Sequence, residues 1–494
     1  MHVINIFHAI YSPSSSSLLA PHPHCVSLSL ETLWILHTNP FELAMAAGYP
    51  RGYRLHHQCR TRLQRKAVAR RARVVCAASG SSGIYESDDS SVISKASTSV
   101  VSENETKAQE QEQEEEEALL VRAARGEAVP RTPVWLFRQA GRHLPEYNEY
   151  KRARGRNFLE LLRDPDDVAE ITLQPLRRYP LDAAVLFSDI LVIPQALGID
   201  VIMVPGSGIN VPQPLRTAAD AQALLTKHEA LDLREDVVFA QLAHVLEGAE
   251  RVAAGLRAGG LANDAEGVAP LIGFSAAPWT LFYYMVGGSS KRATDSGTRW
   301  LRDEPVLSEK LLSMLTDLVI EYLVAQVDSG ARVLQIFEAM GEHIGREDFE
   351  RFATPCLVKI CRELKTRRPK VPLMVFTRDA MHAIDDMQRA NYDVITLDLS
   401  VRAGTVRRQL EANRVTSSGL HIPSLQGNFD PSYLLPSAPG WESEIESAVR
   451  FMLEDAGAQR LIFNIGAGLT GQEEPEKVLH LVESVRDISS ALLS

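Results

Sequence analysis

Cysteine is scarce: five residues in a chain of 494, with Cys25, Cys59 and Cys76 near the N-terminus. Only Cys356 and Cys361 remain for the rest of the chain. Five positions apart on what reads as a helix, they point to different sides, and neither has a histidine at metal-ligand spacing. That excludes a disulfide framework and a zinc site, and a reducing compartment fits. Long apolar runs are missing as well. No stretch of eighteen uninterrupted apolar residues occurs, so no transmembrane helix is expected. An excess of basic residues is also lacking, since 52 Lys and Arg stand against 63 Asp and Glu for a net charge of −11. Nucleic acid is therefore not the expected partner, but an anionic ligand is still allowed, because a local cluster of arginines outweighs the global sum.

One absence is local. From Met45 to Ala78 there is no Asp or Glu, while Arg51, Arg54, Arg60, Arg62, Arg65, Lys66, Arg70, Arg71 and Arg73 make the segment strongly basic. Arg-rich, acid-free and ending in small residues is the composition of an organelle transit peptide. Its end, Val74-Val75-Cys76-Ala77-Ala78, resembles a stromal processing site, so residues 1–78 are expected to be a plastid-targeting leader. Met45-Ala46-Ala47 reads as the natural start, with residues 1–44 an upstream extension. Residues 79–117 turn to Ser, then Glu and Gln, and cannot bury enough apolar surface to offset chain entropy. They are expected to be a disordered acidic tether.

From Ala118 to Ser494 the texture is that of a folded domain. Short apolar runs recur at Val134–Phe137, Ala183–Phe187, Leu271–Ser275, Val333–Phe337, Leu373–Phe376, Val394–Leu397, Ser424–Gly427 and Leu461–Ile465. Between them lie segments with apolar residues three and four apart, such as Val168–Arg178 and Leu307–Asp328. Eight continuous apolar runs alternating with helical segments predict an α/β fold, a single (β/α)8 barrel whose parallel strands are covered on both faces. Val201–Val211, broken by Pro205, Gly206 and Gly208, reads as an inserted hairpin. Arg138, Asp189, Glu338, Thr377, Asp398, Asn428 and Asn464 stand at or just after strand ends, the positions that converge on the catalytic face of such a barrel.

Arg138-Gln139-Ala140-Gly141-Arg142 is the most telling of these segments. Two arginines four apart around a glycine place two guanidinium forks at the barrel mouth, where planar bidentate geometry suits a polycarboxylate. Asp189, after Phe187-Ser188, reads either as a buried acid of the site or as a helix cap. Tyr284 reads either as a site hydroxyl or as a core aromatic.

The arginine segment, with His143-Leu144-Pro145-Glu146-Tyr147 after it, resembles the signature of uroporphyrinogen decarboxylases. Phe187-Ser188-Asp189-Ile190-Leu191, Ala277-Pro278-Trp279-Thr280-Leu281, Leu425-Gln426-Gly427-Asn428 and Phe463-Asn464-Ile465-Gly466 match further blocks of that family in the same order, over about residues 118–490. The resemblance implies removal, without any cofactor or metal, of the four acetate side chains of uroporphyrinogen III to give coproporphyrinogen III in heme and chlorophyll biosynthesis. It also implies a homodimer. Protonating a pyrrole carbon makes the ring an electron sink for the departing CO2, so the protein must supply a proton, stabilise a cationic ring and hold carboxylates. On that resemblance Asp189 accepts the pyrrole N–H groups and is kept ionised by them, Arg138 and Tyr284 join it as catalytic residues, and Arg138, Gln139, Ala140, Gly141, Arg142, Asp189, Tyr284 and Phe337 bind substrate.

The chain departs from the family pattern at five places. Ala339 and Ala467 stand where Ser and His are usual, Lys151 where Arg is usual, and Leu399 where Trp is usual. Each lost hydrogen bond to a charged substrate removes roughly 1.5–3 kcal/mol. These losses motivate a rival reading, a non-catalytic or substrate-shifted tetrapyrrole-binding paralogue. A cobalamin- or folate-linked methyltransferase, which shares the barrel, is a more distant rival, because no cysteine lies at a candidate strand end. His143, where the family has Tyr, and Glu338 read as structural.

Overall fold

Seven strands run parallel in one curled sheet in the order β1-β4-β5-β6-β7-β8-β9: β1 Ala184–Val185, β4 Leu271–Ala276, β5 Val333–Glu338, β6 Leu373–Thr377, β7 Val394–Thr396, β8 Ser424–Gln426 and β9 Leu461–Ile462. This computed structural model describes residues 117–494 apart from 205–207, 264–266, 418 and 438. The leader and all but the last residue of the tether lie outside the described residues. So do Pro205 and Gly206 of the expected hairpin, whose two arms, β2 Ile202–Val204 and β3 Gly208–Asn210, pair antiparallel.

An eighth stave closes the sheet into a barrel. Phe463 N donates to Pro133 O (2.8 Å) and Trp135 N to Phe463 O (3.3 Å), while on the other side Asp182 N donates to Val134 O (2.9 Å). Asp182 clamps this seam. Its carboxylate takes both terminal nitrogens of Arg131 (2.8 and 2.6 Å), the backbone N–H of Val134 (2.8 Å) and the amide of Asn263 (3.1 Å). All eight predicted strand positions hold, but several ladders are shorter than their apolar runs. The first run pairs only around Val134 and Trp135, because the chain turns at Leu136–Gln139 and Arg138 adopts a left-handed φ of 59°.

Strand β4 is buried at every position, as a parallel strand covered by helices on one side and the barrel interior on the other must be. A hydrogen-bonded string crosses that interior. Trp135 Nε1 donates to Gln426 Oε1 (2.8 Å), whose amide nitrogen donates to Gln335 (3.0 Å) and Thr396 (2.8 Å).

Five helices carry labels below: α1 Pro145–Arg154, α2 Pro165–Arg178, α3 Pro278–Gly287, α4 Pro305–Asp328 and α5 Pro475–Leu493. Each starts on a proline, whose missing N–H costs nothing in the first turn. Helix α2 shows the local logic: Asp164 caps its N-terminus by accepting from Asp166 N (3.0 Å), acids fill the first turn, and Arg177 and Arg178 sit in the last, matching the helix dipole at both ends. Cys356 and Cys361 are buried free thiols on the helix Thr354–Arg367. Among the described residues no helix is long and apolar enough to cross a membrane.

Candidate active site

The strand ends deliver an aromatic floor before they deliver charge. Phe137 and Phe376 stack at 5.5 Å between ring centroids, and Phe337 meets Phe137 and Phe274 edge-on at 5.6 and 5.7 Å. Phe337 is the half-buried member and the other three are buried. Only Phe337 was expected. The signal for the others was present, since Phe137, Phe274 and Phe376 each stand at or next to the last apolar residue of a strand.

Asp189 is 7% exposed. It follows β1 and accepts the backbone N–H groups of Leu191 (2.8 Å) and Ile190, which turn the chain after the strand. Burial outweighs those donors and the Arg138 charge, so the carboxyl is pushed up to about 6. The protein's own donors thus do not offset burial, and further N–H donors would bring the pKa down.

Arg138 meets solvent, yet the walls of the mouth surround it. Desolvation is the first cause lowering its pKa from the ordinary range, the charges of Arg142 and Arg378 add to that, and Tyr284 and Asp189 oppose it. Its seat is steric: a Cβ built on Gly468 would lie 2.9 Å from Arg138 Cδ, and one on Gly471 would lie 2.7 Å from Arg142 Cβ. The turn after β9, which carries Ala467, therefore lies directly beneath both arginines. Gly468→Val is expected to displace the Arg138 guanidinium and lower kcat/KM by about tenfold or more, the scale of one lost charged hydrogen bond. Steady-state kinetics beside an unchanged circular dichroism spectrum checks this.

Tyr284, on α3, is 7% exposed. Burial raises its pKa, a hydrogen bond with Ser290 lowers it, and it feels the charges of Asp189, Arg378 and Arg138. Arg138, Arg142, Asp189, Tyr284 and Phe337 therefore converge. Gln139 is placed differently. It is 1% exposed, with its side chain accepting from Leu136 N (3.1 Å) and donating to Ala183 O (2.9 Å), so it braces the arginine loop instead of facing the mouth. Ala140 is half-buried, and Gly141 takes φ 128°, which L side chains rarely adopt.

Glu338, Asp398, Asn428 and Asn464 brace loops, while the buried Thr377 hydroxyl has no hydrogen-bond partner among the described residues. Glu338, fully buried, accepts from Thr280 Oγ1, Thr280 N (3.3 Å) and Met340 N (3.1 Å), and burial pushes its carboxyl up to about 7. Asn464 Oδ1 accepts from Phe137 N (3.0 Å), and Asn428 donates to Val401 O (2.7 Å). Buried His143 stacks on Tyr179 at 6.0 Å, with burial pulling its pKa down to about 4. Ala339 donates its N–H to Thr280 Oγ1 (2.8 Å), and Lys151 is half-buried in the last turn of α1. Among the described residues, no three His, Cys, Asp or Glu side chains are placed to hold a metal ion.

Arg378, the first residue after β6, went unremarked in the sequence. Its charge reaches Arg138, Tyr284 and Glu338. The arrangement is a set of arginines around a buried carboxyl beside an aromatic cluster, suited to a ring that carries several carboxylates and develops positive charge.

Residues 115–488 match the family model described as uroporphyrinogen decarboxylase (URO-D). The chain is similar to the uroporphyrinogen decarboxylases of Mus musculus and Homo sapiens, 41% identical to each over 377 residues, which is 75% of this chain and 94% of either relative. Similarity to that of Schizosaccharomyces pombe is 38% over 384 residues, 76% of this chain and 98% of the relative. Among solved structures, a methyltransferase from Methanosarcina mazei superposes with a TM-score of 0.57 at 19% identity, over 74% of this chain and 96% of that one. At that identity the likeness shows the barrel alone.

Proposed function

The chain belongs to the uroporphyrinogen decarboxylase family, and from that premise we propose how its barrel mouth carries out the reaction. It is a lyase that decarboxylates uroporphyrinogen in tetrapyrrole biosynthesis. The match across nearly the whole described domain carries this conclusion.

For each acetate the balance is simple: one proton is taken up, the C–C bond to the carboxylate breaks, CO2 leaves, and a methyl group remains. A proton first adds to the ring carbon next to the one that bears the side chain, which places positive charge on the side-chain-bearing carbon. The cationic ring then accepts the electron pair left by CO2, and the methylene carbon takes a proton as the ring proton is lost. Asp189 accepts pyrrole N–H groups and offsets the ring's positive charge where it develops. Those donors draw its pKa below the value set by burial. Arg138 and Arg142 hold substrate carboxylates. We propose that Arg138, at the mouth with its pKa drawn down by the surrounding walls and its like-charged neighbours, also takes part in proton delivery. Tyr284 fixes the wall beside Asp189, and Phe337 with its aromatic neighbours excludes water from the ring face.

A pH signature follows. Asp189 must be ionised to accept N–H groups, so kcat/KM, which reports the free enzyme, is expected to fall about tenfold per pH unit below about 6. The acid limb of kcat should lie lower, because bound N–H groups favour the carboxylate. Coincident limbs would count against Asp189 as the acceptor. The stability sign is opposite. A buried carboxyl with a raised pKa binds its proton more tightly folded than unfolded, so its contribution to stability is lost as pH rises from about 4 through about 6.

We further propose the plastid stroma as the site of action, supported by the Arg-rich, acid-free segment of residues 45–78, and a homodimer, supported by family membership. The non-catalytic reading prompted by Ala339 and Ala467 is not favoured. Anaerobic incubation with uroporphyrinogen III, with products resolved by carboxylate number, tests the activity. A tetracarboxylate is expected, and binding without any product would overturn the reading.

A further inference from the structure

Two strand ends at the mouth turn in the same unusual way. Arg138 itself takes φ 59°, and Asp379, just after Arg378, takes φ 60°. Left-handed backbone at residues other than glycine costs free energy and persists where surrounding contacts impose it, often at functional sites. At Asp379 the contacts are explicit. Asp398, at the end of the next stave, accepts the Asp379 N–H (2.8 Å) as well as Ser400 N (2.9 Å), and the Asp379 carboxylate accepts from Arg378 Nε (2.9 Å). Arg378 N donates to Glu338 O (3.0 Å), which seats its backbone beside Ala339.

The guanidinium so held uses one of its five N–H donors. Glu342 stands 3.8 Å from a terminal nitrogen, too far for a hydrogen bond, and the side chain is 37% exposed. Surface ion pairs with Asp379 and, more loosely, Glu342 are worth little and do not explain the clamp. Three arginines gathered at one mouth also repel one another, which a polyanion relieves.

We propose that Arg378 is a third carboxylate anchor, a specificity-determining residue that holds substrate on the β5–β6 side of the mouth, where Ala339 offers no hydroxyl. Asp379 and Asp398 are its positioning residues. This rests on the decarboxylase reading of the site. The orientation suits an anchor because the Asp379 carboxylate occupies the Nε edge and leaves the two terminal nitrogens for a bidentate partner.

The test compares the parent chain with Arg378→Met, Arg378→Lys and Asp379→Asn. It reads kcat and KM for uroporphyrinogen, and Kd for uroporphyrin, the stable oxidised octacarboxylate, by fluorescence quenching. Arg378→Met is expected to raise KM and Kd about tenfold or more while kcat changes by less than about threefold, the pattern of lost uniform binding. Arg378→Lys should raise them less, since it keeps a point charge without the fork. Asp379→Asn tolerates the left-handed backbone and turns the charged hydrogen bond to Arg378 Nε into a weaker neutral one, and a rise in KM of about two- to threefold with unchanged kcat is expected. KM and Kd within about twofold of the parent in Arg378→Met overturn the proposal, as does a fall in kcat at constant KM. Should Arg378→Met not fold, Arg378→Lys decides by the same criterion. A parent without turnover defeats the decarboxylase reading, and the Kd comparison still decides on Arg378.

Discussion

Asp189→Asn is expected to lower kcat about 10²–10³-fold, the scale for removing one preorganised electrostatic group at the point where charge develops. The substitution is nearly isosteric. Asn retains an oxygen for Leu191 N, which Asp189 now satisfies at 2.8 Å, so the turn after β1 should survive. What changes is the charge, together with the second atom, which becomes a donor facing the pyrrole N–H groups. The cationic ring then loses its counter-charge, and the ground state loses an acceptor. Stability should hold or improve at pH 8, because the substitution removes a buried carboxyl whose pKa burial has raised. A kcat within about tenfold of the parent would remove Asp189 from the mechanism.

The second large effect is structural. Asp182→Ala is expected to destabilise the domain by about 3–5 kcal/mol, the cost of stranding a buried charge. Asp182 and Arg131 are 3% and 7% exposed, and the carboxylate also satisfies Val134 N. Removing it leaves the guanidinium without its bidentate partner and loosens the first stave from its neighbour. A shift in urea midpoint at constant slope measures the loss. The pair Arg131→Met with Asp182→Leu should recover part of it, because the nearer ion pair is removed whole, although Arg486, 3.7 Å from Asp182, also loses that carboxylate. A single-variant loss of under about 1 kcal/mol would show that the seam does not depend on this clamp.

The barrel was legible because parallel strands buried on both faces print as continuous apolar runs, and all eight were found. Where each ladder stops was not legible. Val134–Phe137 reads as one strand, yet pairing ends at Trp135 because Arg138 turns left-handed, a choice made by the loop and by Gly468 beneath it, far along the chain. The same limit explains the site. Asp189, Arg138, Arg142 and Tyr284 were found as motif residues. Arg378 does not stand out in the sequence because it lies one residue past Thr377, the last of the ladder, and only the fold sets its charge beside Arg138 and Tyr284. Gln139 erred in the other direction: adjacent to both arginines in sequence, it turns inward, because a buried loop needs its backbone N–H and C=O groups satisfied. Glu338, Asn464 and Asn428 follow that rule as well. A polar residue at a strand end is as often the brace of a loop as a contact for substrate.

The seam sets an order of events during synthesis. The first stave leaves the ribosome early and meets Asp182 soon after, but the groups on its other side come far later: Phe463 pairs with Pro133 and Trp135, and Ser489 on α5 receives the N–H of Thr132 from 357 residues away. Until those segments emerge, the apolar run from Val134 to Phe137 is paired on the Asp182 side alone, and the turn that seats both arginines is missing. Such distant pairings are slow to form and leave sticky surface uncovered meanwhile. A nascent chain should therefore depend on chaperones until α5 has emerged, and a chain cut short before α5 should bind no substrate, however intact its arginines and its Asp189.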